Sequence, residues 1–338
     1  MPRRERRVAV IGAGVNGLTC GIVLRQRGWI VTILSDRRPS ETTSARAGAV
    51  FTPFRMAGDE RAARWTERAH AAFSVLAADP GVSGVDLAPA RLFFHTPQSL
   101  RPWWAEALTD LRQLSDPPAP FTVAFSVRLP RMDMTRYLPW LERRFVEHLG
   151  GTIAPVALTR LDEPFERGFD AVVNCSGLGA RDLVPDPAVM SMRGQVLHVS
   201  NPGGLNECLI AESSGEETTY LFPFPTHVVL GGTYERGASS EETDERSLRA
   251  ILKRCRRLMS ACGYDALDLD RAAVLRRLAG LRPARVIGDC DEAVRLERQD
   301  LGPGRCVVHN YGHGRAGVTL SWACAEDVGE LLDEALPP

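Results

Sequence analysis

The chain has 338 residues, 44% of them hydrophobic and 25% charged, with 41 lysines and arginines against 42 aspartates and glutamates. This is the composition of a soluble globular protein long enough for two lobes, and its charge balance excludes a nucleic acid or a membrane surface recognised by long-range electrostatics. Eight cysteines with no CxxC pair and no histidine at zinc-ligand spacing exclude a zinc module and read as free thiols.

Arg3, Arg4, Arg6 and Arg7 open the chain as a solvated basic tail. The apolar run from Val8 to Ile11 is too short for a signal-peptide core or a membrane span, so a cytoplasmic protein is expected. Arg7 to Ile11 predicts a strand. Val15 to Arg27, with Leu18, Ile22 and Val23 at helical spacing, predicts a helix closed by Gly28, and Ile30 to Leu34 predicts a second strand ending at Asp36.

Between the first strand and the helix lies Gly12-Ala13-Gly14-Val15-Asn16-Gly17. Gly12 lets the chain turn, Gly14 lets backbone approach a pyrophosphate, and Gly17 lets the helix pack on the strand. Asp36 then stands where a carboxylate accepts hydrogen bonds from a ribose, with Arg37 beside it. A dinucleotide is expected, and the turn alone does not separate NAD from FAD.

Further along, residues 61–77 carry a helical pattern, and Pro117-Pro118-Ala119-Pro120 reads as a surface loop. Ala171 to Val173 predicts a strand leading into Asn174-Cys175-Ser176-Gly177-Leu178-Gly179. Runs at 195–200, 219–222 and 227–231 read as an antiparallel sheet, followed by a helical pattern at 241–260. Cys306 to Val308 predicts a last strand, His309 to Gly314 a glycine-rich turn, and residues 318–328 a final helix. If the three strands that end in glycine turns share a sheet, the turns converge at its carboxyl edge, where open α/β folds bind ligands.

Six collinear segments carry a resemblance over almost the whole chain. They are Thr42-Thr43-Ser44-Ala45-Arg46-Ala47-Gly48, Asn174 to Gly177, Arg193-Gly194-Gln195-Val196, Tyr220-Leu221-Phe222-Pro223 with Leu230-Gly231-Gly232-Thr233, Gly280-Leu281-Arg282-Pro283, and His309 to Gly314 with Gly317-Val318-Thr319. Together they resemble the D-amino acid oxidase family of flavoproteins. The resemblance implies an α/β fold in which a Rossmann-type FAD-binding domain, residues 1–50, 130–190 and 286–338, is interleaved with a substrate lobe on a mainly antiparallel sheet, residues 51–129 and 191–285.

It also implies non-covalent FAD held by Gly12, Gly14, Val15, Asn16, Gly17, Asp36, Arg37, Thr42, Thr43, Ser44, Ala47, Gly48, Leu158, Ser176, Gly177, Gly312, Gly314, Arg315, Gly317, Val318 and Thr319. The hydroxyls of Thr42, Thr43 and Ser44 are small donors for phosphate oxygens. Gly312, Gly314 and Gly317 let backbone lie against a flat ring, and amides there with Thr319 face the pyrimidine carbonyl. His309 and His313 read as residues that orient this backbone, not as bases.

For the substrate, Arg282 is the expected carboxylate anchor, since a guanidinium forks onto a carboxylate with two charge-assisted hydrogen bonds, and Tyr220 adds a third. Ala49, Phe51 and Phe222 are expected in the pocket wall. Two positions depart from the family pattern: Glu216 replaces a tyrosine on the covering loop, and Arg315 stands where many members have a small residue. Arg315 either turns to solvent or faces the pocket, where Glu216 or an acidic substrate side chain would have to balance it.

The implied reaction is oxidation of a D-amino acid to an imino acid, which hydrolyses to a 2-oxo acid, with dioxygen reduced to hydrogen peroxide. A homodimer is compatible with it. The competing readings are a glycine or sarcosine oxidase, a specialised biosynthetic amino acid oxidase, and a protein that binds FAD without turnover.

Overall fold

The computed structural model describes residues 5–52, 60–95, 104–201, 203–212, 218–265, 267–288 and 293–337. Two sheets organise the chain. The first has six strands in the order Arg295–Asp300, Cys306–Tyr311, Ala171–Asn174, Arg7–Ile11, Ile30–Ser35 and Thr152–Pro155. All neighbours run parallel except the edge strand Arg295–Asp300, which is antiparallel to Cys306–Tyr311. The central strands read as continuous apolar runs because both faces of a parallel sheet are covered.

The covering elements follow from sequence pattern. Helix Val15–Gln26 buries residues all round, from Leu18 through Leu24, because it lies between the sheet and the final helix, Gly317–Ala335. Gly21 admits Phe145 on one flank, where a Cβ would come within 2.8 Å of the ring. The amphipathic helix Ala62–Leu76 packs against the final helix. Trp65 Nε1 donates to Asp327 Oδ2 at 2.7 Å, Arg64 reaches the same oxygen at 3.1 Å, and Arg68 takes the other.

The second sheet has ten strands. Its main path runs Glu235–Arg236, Val189–Val199, Val228–Gly231, Thr218–Pro223, Cys208–Glu212, Val85–Phe94, Val123–Met132 and Ala49–Val50; Val274–Arg285 also pairs with Val189–Val199, and Arg112–Gln113 with Val123–Met132. The ladder between Val85–Phe94 and Val123–Met132 spans ten registered pairs. Neither strand is apparent in the sequence, because Pro89 and Pro130 sit inside them and proline argues against a strand interior.

Side chains alternate across this sheet. Leu92, Ile210, Phe222 and Val229 join the core shared with the parallel sheet. Phe93, Leu209, Ala211, Leu221 and Leu230 point the other way, where Leu248, Ile251, Cys255, Leu258 and Met259 of helix Glu245–Ala261 close over them. The face toward the parallel sheet is therefore the one that can meet a ligand bound at its carboxyl edge.

Candidate active site

The three glycine-turn strands, Arg7–Ile11, Ala171–Asn174 and Cys306–Tyr311, lie side by side and parallel, so their turns open at one edge. A cleft of about 400 Å³ runs along it, a volume within the range of cofactor sites. It takes in Asp36 and Arg37 beyond the second strand, the turn at Gly12, Gly14, Val15 and Asn16, then Thr42, Thr43, Ser44, Ala47 and Gly48, with Ser176 and Gly177 opposite. Gly314, Arg315, Gly317, Val318 and Thr319 line it too.

Two helix N-termini, those of Val15–Gln26 and Gly317–Ala335, meet this cleft, so first-turn amides without intrahelical acceptors face it, and the positive ends of both dipoles favour an anion there. The hydroxyls of the threonine segment are disposed differently from expectation. Thr42 Oγ1 donates to Pro39 O at 2.7 Å and Thr43 Oγ1 to Leu281 O at 3.0 Å, while Ser44 Oγ accepts from Val15 N at 3.0 Å. Two of the three hydroxyl protons are thus given to backbone carbonyls, and the Ser44 oxygen is tied to the first helix.

Gly17, Gly312 and Leu158 do not line the cleft. A Cβ on Gly17 would stand 1.9 Å from Gly12 O, and one on Gly312, whose φ is +87°, would stand 2.6 Å from Arg285 Cβ. Both glycines serve close packing behind the site. Leu158 packs against apolar clusters that include Ile11 and Phe165, and Leu34 and Phe169.

The cleft suits FAD on its own features. Its floor is built from glycines, and Asn16 Oδ1 is buried there with no hydrogen-bond partner among the described residues. Glu241, which no motif announced, also lines it. Arg37 reaches Glu241 Oε1 at 3.1 Å and Arg46 takes Oε2. Burial alone would raise this carboxyl, but its bonds to Arg46 and Arg37 outweigh that and hold it below the usual range.

Next to the cleft is a smaller compartment of about 120 Å³ that shares Gly48, Thr52, Tyr220, Arg282 and Arg315 with it. Leu92, Phe94, Ile210, Glu212, Thr218 and Phe222 line it as well, with Phe93 between the first two. Tyr220 stands opposite Gly231 in the sheet, and its ring covers the bare backbone: a Cβ on Gly231 would be 2.1 Å from the ring. Phe222 stacks on Tyr220 at 4.4 Å. Arg282 lies over Gly194 in the same manner, where a Cβ would be 2.0 Å from Nη2, and Nη1 donates to Thr233 O at 3.1 Å.

Burial pushes the Tyr220 phenol up, against the opposing charge and hydrogen bond of Arg282 and the charge of Arg315. Both guanidinium groups thus act at one phenol. Arg315 does not simply turn to solvent: it is half-buried, lines both spaces, and holds its guanidinium 4.0 Å from the ring centre of Tyr234. Phe51 corrects an expectation. Its ring is wholly buried against His70 and Phe73 of the helix Ala62–Leu76, at 5.4 and 6.3 Å, and lines neither space. Ala49 lines the cleft, and Glu216 lies outside the described residues.

His309 is buried away from the cleft, between Gln299 Oε1 at 2.9 Å and Asn174 Nδ2 at 3.4 Å. His313 lines the cleft but is 2% exposed, and burial with the nearby charge of Arg61 pushes it down to about 4.

A dinucleotide cleft whose far end opens into a walled compartment with paired arginines is the site of a flavin-dependent oxidoreductase, and the family model described as FAD dependent oxidoreductase matches residues 7–331. The chain is 41% identical to the D-amino-acid oxidase of Streptomyces coelicolor, covering 97% of each. It is 33% identical to the D-aspartate oxidase of Homo sapiens, covering 98% of this chain and 95% of that one. Glycine oxidase from Geobacillus kaustophilus has the same fold, with a TM-score of 0.78 at 18% identity over 98% of this chain and 95% of that one. The chain belongs to the D-amino acid oxidase family, and its cofactor is FAD.

Proposed function

We propose that this protein oxidises D-amino acids to imino acids, which hydrolyse to 2-oxo acids and ammonia, with dioxygen taken to hydrogen peroxide. The observation that carries the reading is the pairing of Arg282 with Tyr220 where the cleft meets the small compartment. FAD, when bound, supplies the hydride acceptor. Arg282 takes the substrate carboxylate with its guanidinium fork, and the Tyr220 hydroxyl adds a hydrogen bond that fixes rotation. The side chain then extends into the compartment walled by Leu92, Phe94, Ile210 and Phe222. One anchored carboxylate and one side-chain space leave a single hand of the substrate with Cα–H toward the cleft.

In this reading residues 1–50, 130–190 and 286–338 bind FAD non-covalently, and 51–129 and 191–285 form the substrate lobe. The seven cysteines among the described residues are all free thiols, in keeping with a cytoplasmic protein, and no helix among those residues is long and apolar enough to cross a membrane. The test is anaerobic mixing of the yellow protein with both enantiomers of common amino acids. Bleaching by D-forms and peroxide on readmission of air are expected, and equal bleaching by L-forms would overturn the assignment of hand.

A further inference from the structure

Glu241 enters the cofactor cleft on a segment that belongs to none of the glycine turns. Residues 237–244 link the strand Glu235–Arg236 of the ten-stranded sheet to the helix Glu245–Ala261. The segment is tied to the strand Val189–Val199 on both sides of Glu241. Before it, Gly237 N donates to Ser191 O at 2.8 Å, and Ser191 Oγ donates to Ala238 O at 2.6 Å. After it, Arg193 Nη1 donates to Glu242 O at 3.3 Å, Asp244 N donates to Gln195 Oε1 at 2.8 Å, and Gln195 Nε2 donates to Asp244 Oδ2 at 2.7 Å. Asp244 also caps the helix by accepting from Ser247 N at 2.8 Å. A segment anchored at both ends holds its middle residue in a set place at the cleft.

Its carboxylate meets two guanidinium groups carried by the other side of the cleft. Arg37, which follows the parallel-sheet strand Ile30–Ser35, reaches Oε1 at 3.1 Å, and Arg46, at the end of the turn Thr43–Arg46, takes Oε2. All three residues line the cleft. The side chains of Arg37, Arg46 and Glu241 are 52%, 28% and 27% exposed, so the bridge lies where the cleft meets solvent. One carboxylate between two guanidinium groups leaves the trio a net positive charge, which does not oppose a diphosphate. The bridge joins protein groups to each other and not to a ligand. Opening it therefore costs the same whether the cofactor is arriving or leaving.

We infer that residues 237–244 form a strap across the cofactor cleft, latched by Glu241 on Arg37 and Arg46, and that FAD passes in either direction only when the latch opens. Glu241 is thus a positioning residue that governs the exchange of the cofactor and not its affinity. The inference rests on FAD as the cofactor and is independent of the substrate.

Release is followed by the change in flavin fluorescence on dilution of the holoenzyme, and rebinding by the reverse change when FAD is returned to the full chain stripped of flavin. Glu241→Gln is expected to raise both rate constants about ten-fold, between the span of exposed ion pairs and that of buried charge-assisted bonds, and to leave Kd within about two-fold. Added sodium chloride should speed both steps more in the wild type than in this variant, because only the wild type has a latch to screen. Arg46→Gln should act in the same direction, and the double variant should fall short of the product of the two single effects. Faster release with unchanged rebinding would overturn the inference, since Glu241 would then support bound FAD and not gate it. Unchanged rates in a folded single variant would overturn it as well. If Glu241→Gln does not fold, Arg46→Gln decides alone.

Discussion

At the residue scale, the substrate anchor depends on glycines as much as on the arginine. Gly194 leaves the space that the Arg282 guanidinium fills, and Gly231 the space under the Tyr220 ring, an aromatic lying over bare backbone on the neighbouring strand. Arg282→Ala is expected to lose about 3–5 kcal/mol of transition-state stabilisation, read from kcat/KM, because the buried substrate carboxylate is left without its partner. Gly194→Ala makes a sharper test. The new Cβ meets the far end of a side chain that can swing, so folding and flavin content should hold while kcat/KM falls about a hundred-fold from misplacement alone. A Gly194→Ala enzyme with wild-type kcat/KM would show that the anchor lies elsewhere.

At the scale of elements, the glycine turn and its neighbours form one packed unit. Gly12 has φ +99°, and a Cβ there would lie 2.6 Å from Cys175 O on the turn that follows the adjacent parallel strand. Gly28, at φ +85°, closes the same helix with nothing within 4 Å. Gly28→Ala should therefore cost only the left-handed penalty, roughly 1–2 kcal/mol, and leave flavin binding intact. Gly12→Ala adds a backbone clash of roughly 1–3 kcal/mol to that penalty and should also lower flavin occupancy, because the turn it distorts borders the cleft. Chemical denaturation with flavin content measured on each variant distinguishes the two, and equal losses would show that the approach of the two strand ends is not what Gly12 secures.

At the scale of the whole molecule, acid stability is decided by histidines in the core. Burial pushes His198, His309 and His313 down to about 4, with neighbouring positive charge adding to the effect. In the unfolded chain they titrate near the ordinary value of about 6.5. Between those limits the unfolded state binds more protons, so stability is full above the upper limit and declines as pH falls toward the lower one, by up to about 1.4 kcal/mol per pH unit for each histidine. Asp186 acts in the same direction lower down. Burial would raise it, but bonds from Arg285 and Tyr311 hold it below the usual carboxylate range, and its contribution is lost as it protonates. Unfolding free energy is expected to be flat from pH 7 to 8 and to fall steeply toward pH 5. A profile without that decline would mean that these histidines take up protons in the folded state.

The dinucleotide turn, the flanking strand and helix and the final helix were determined by the sequence itself, and the Arg282 segment was read from its resemblance to the family. For the turn, strand and helices the cause is local: glycine sterics at adjacent positions and apolar spacing along one element. Only the tertiary structure decided that Phe51 turns into the core against His70 and Phe73, that Val85–Phe94 pairs with Val123–Met132 despite their prolines, and that Glu241 joins the cleft. It alone brought Glu212 to the wall shared with Tyr220 and Arg315, and seated Arg282 over Gly194. These placements follow from strand register and from contacts between segments far apart in the chain, and residue type and spacing within one segment carry no record of either.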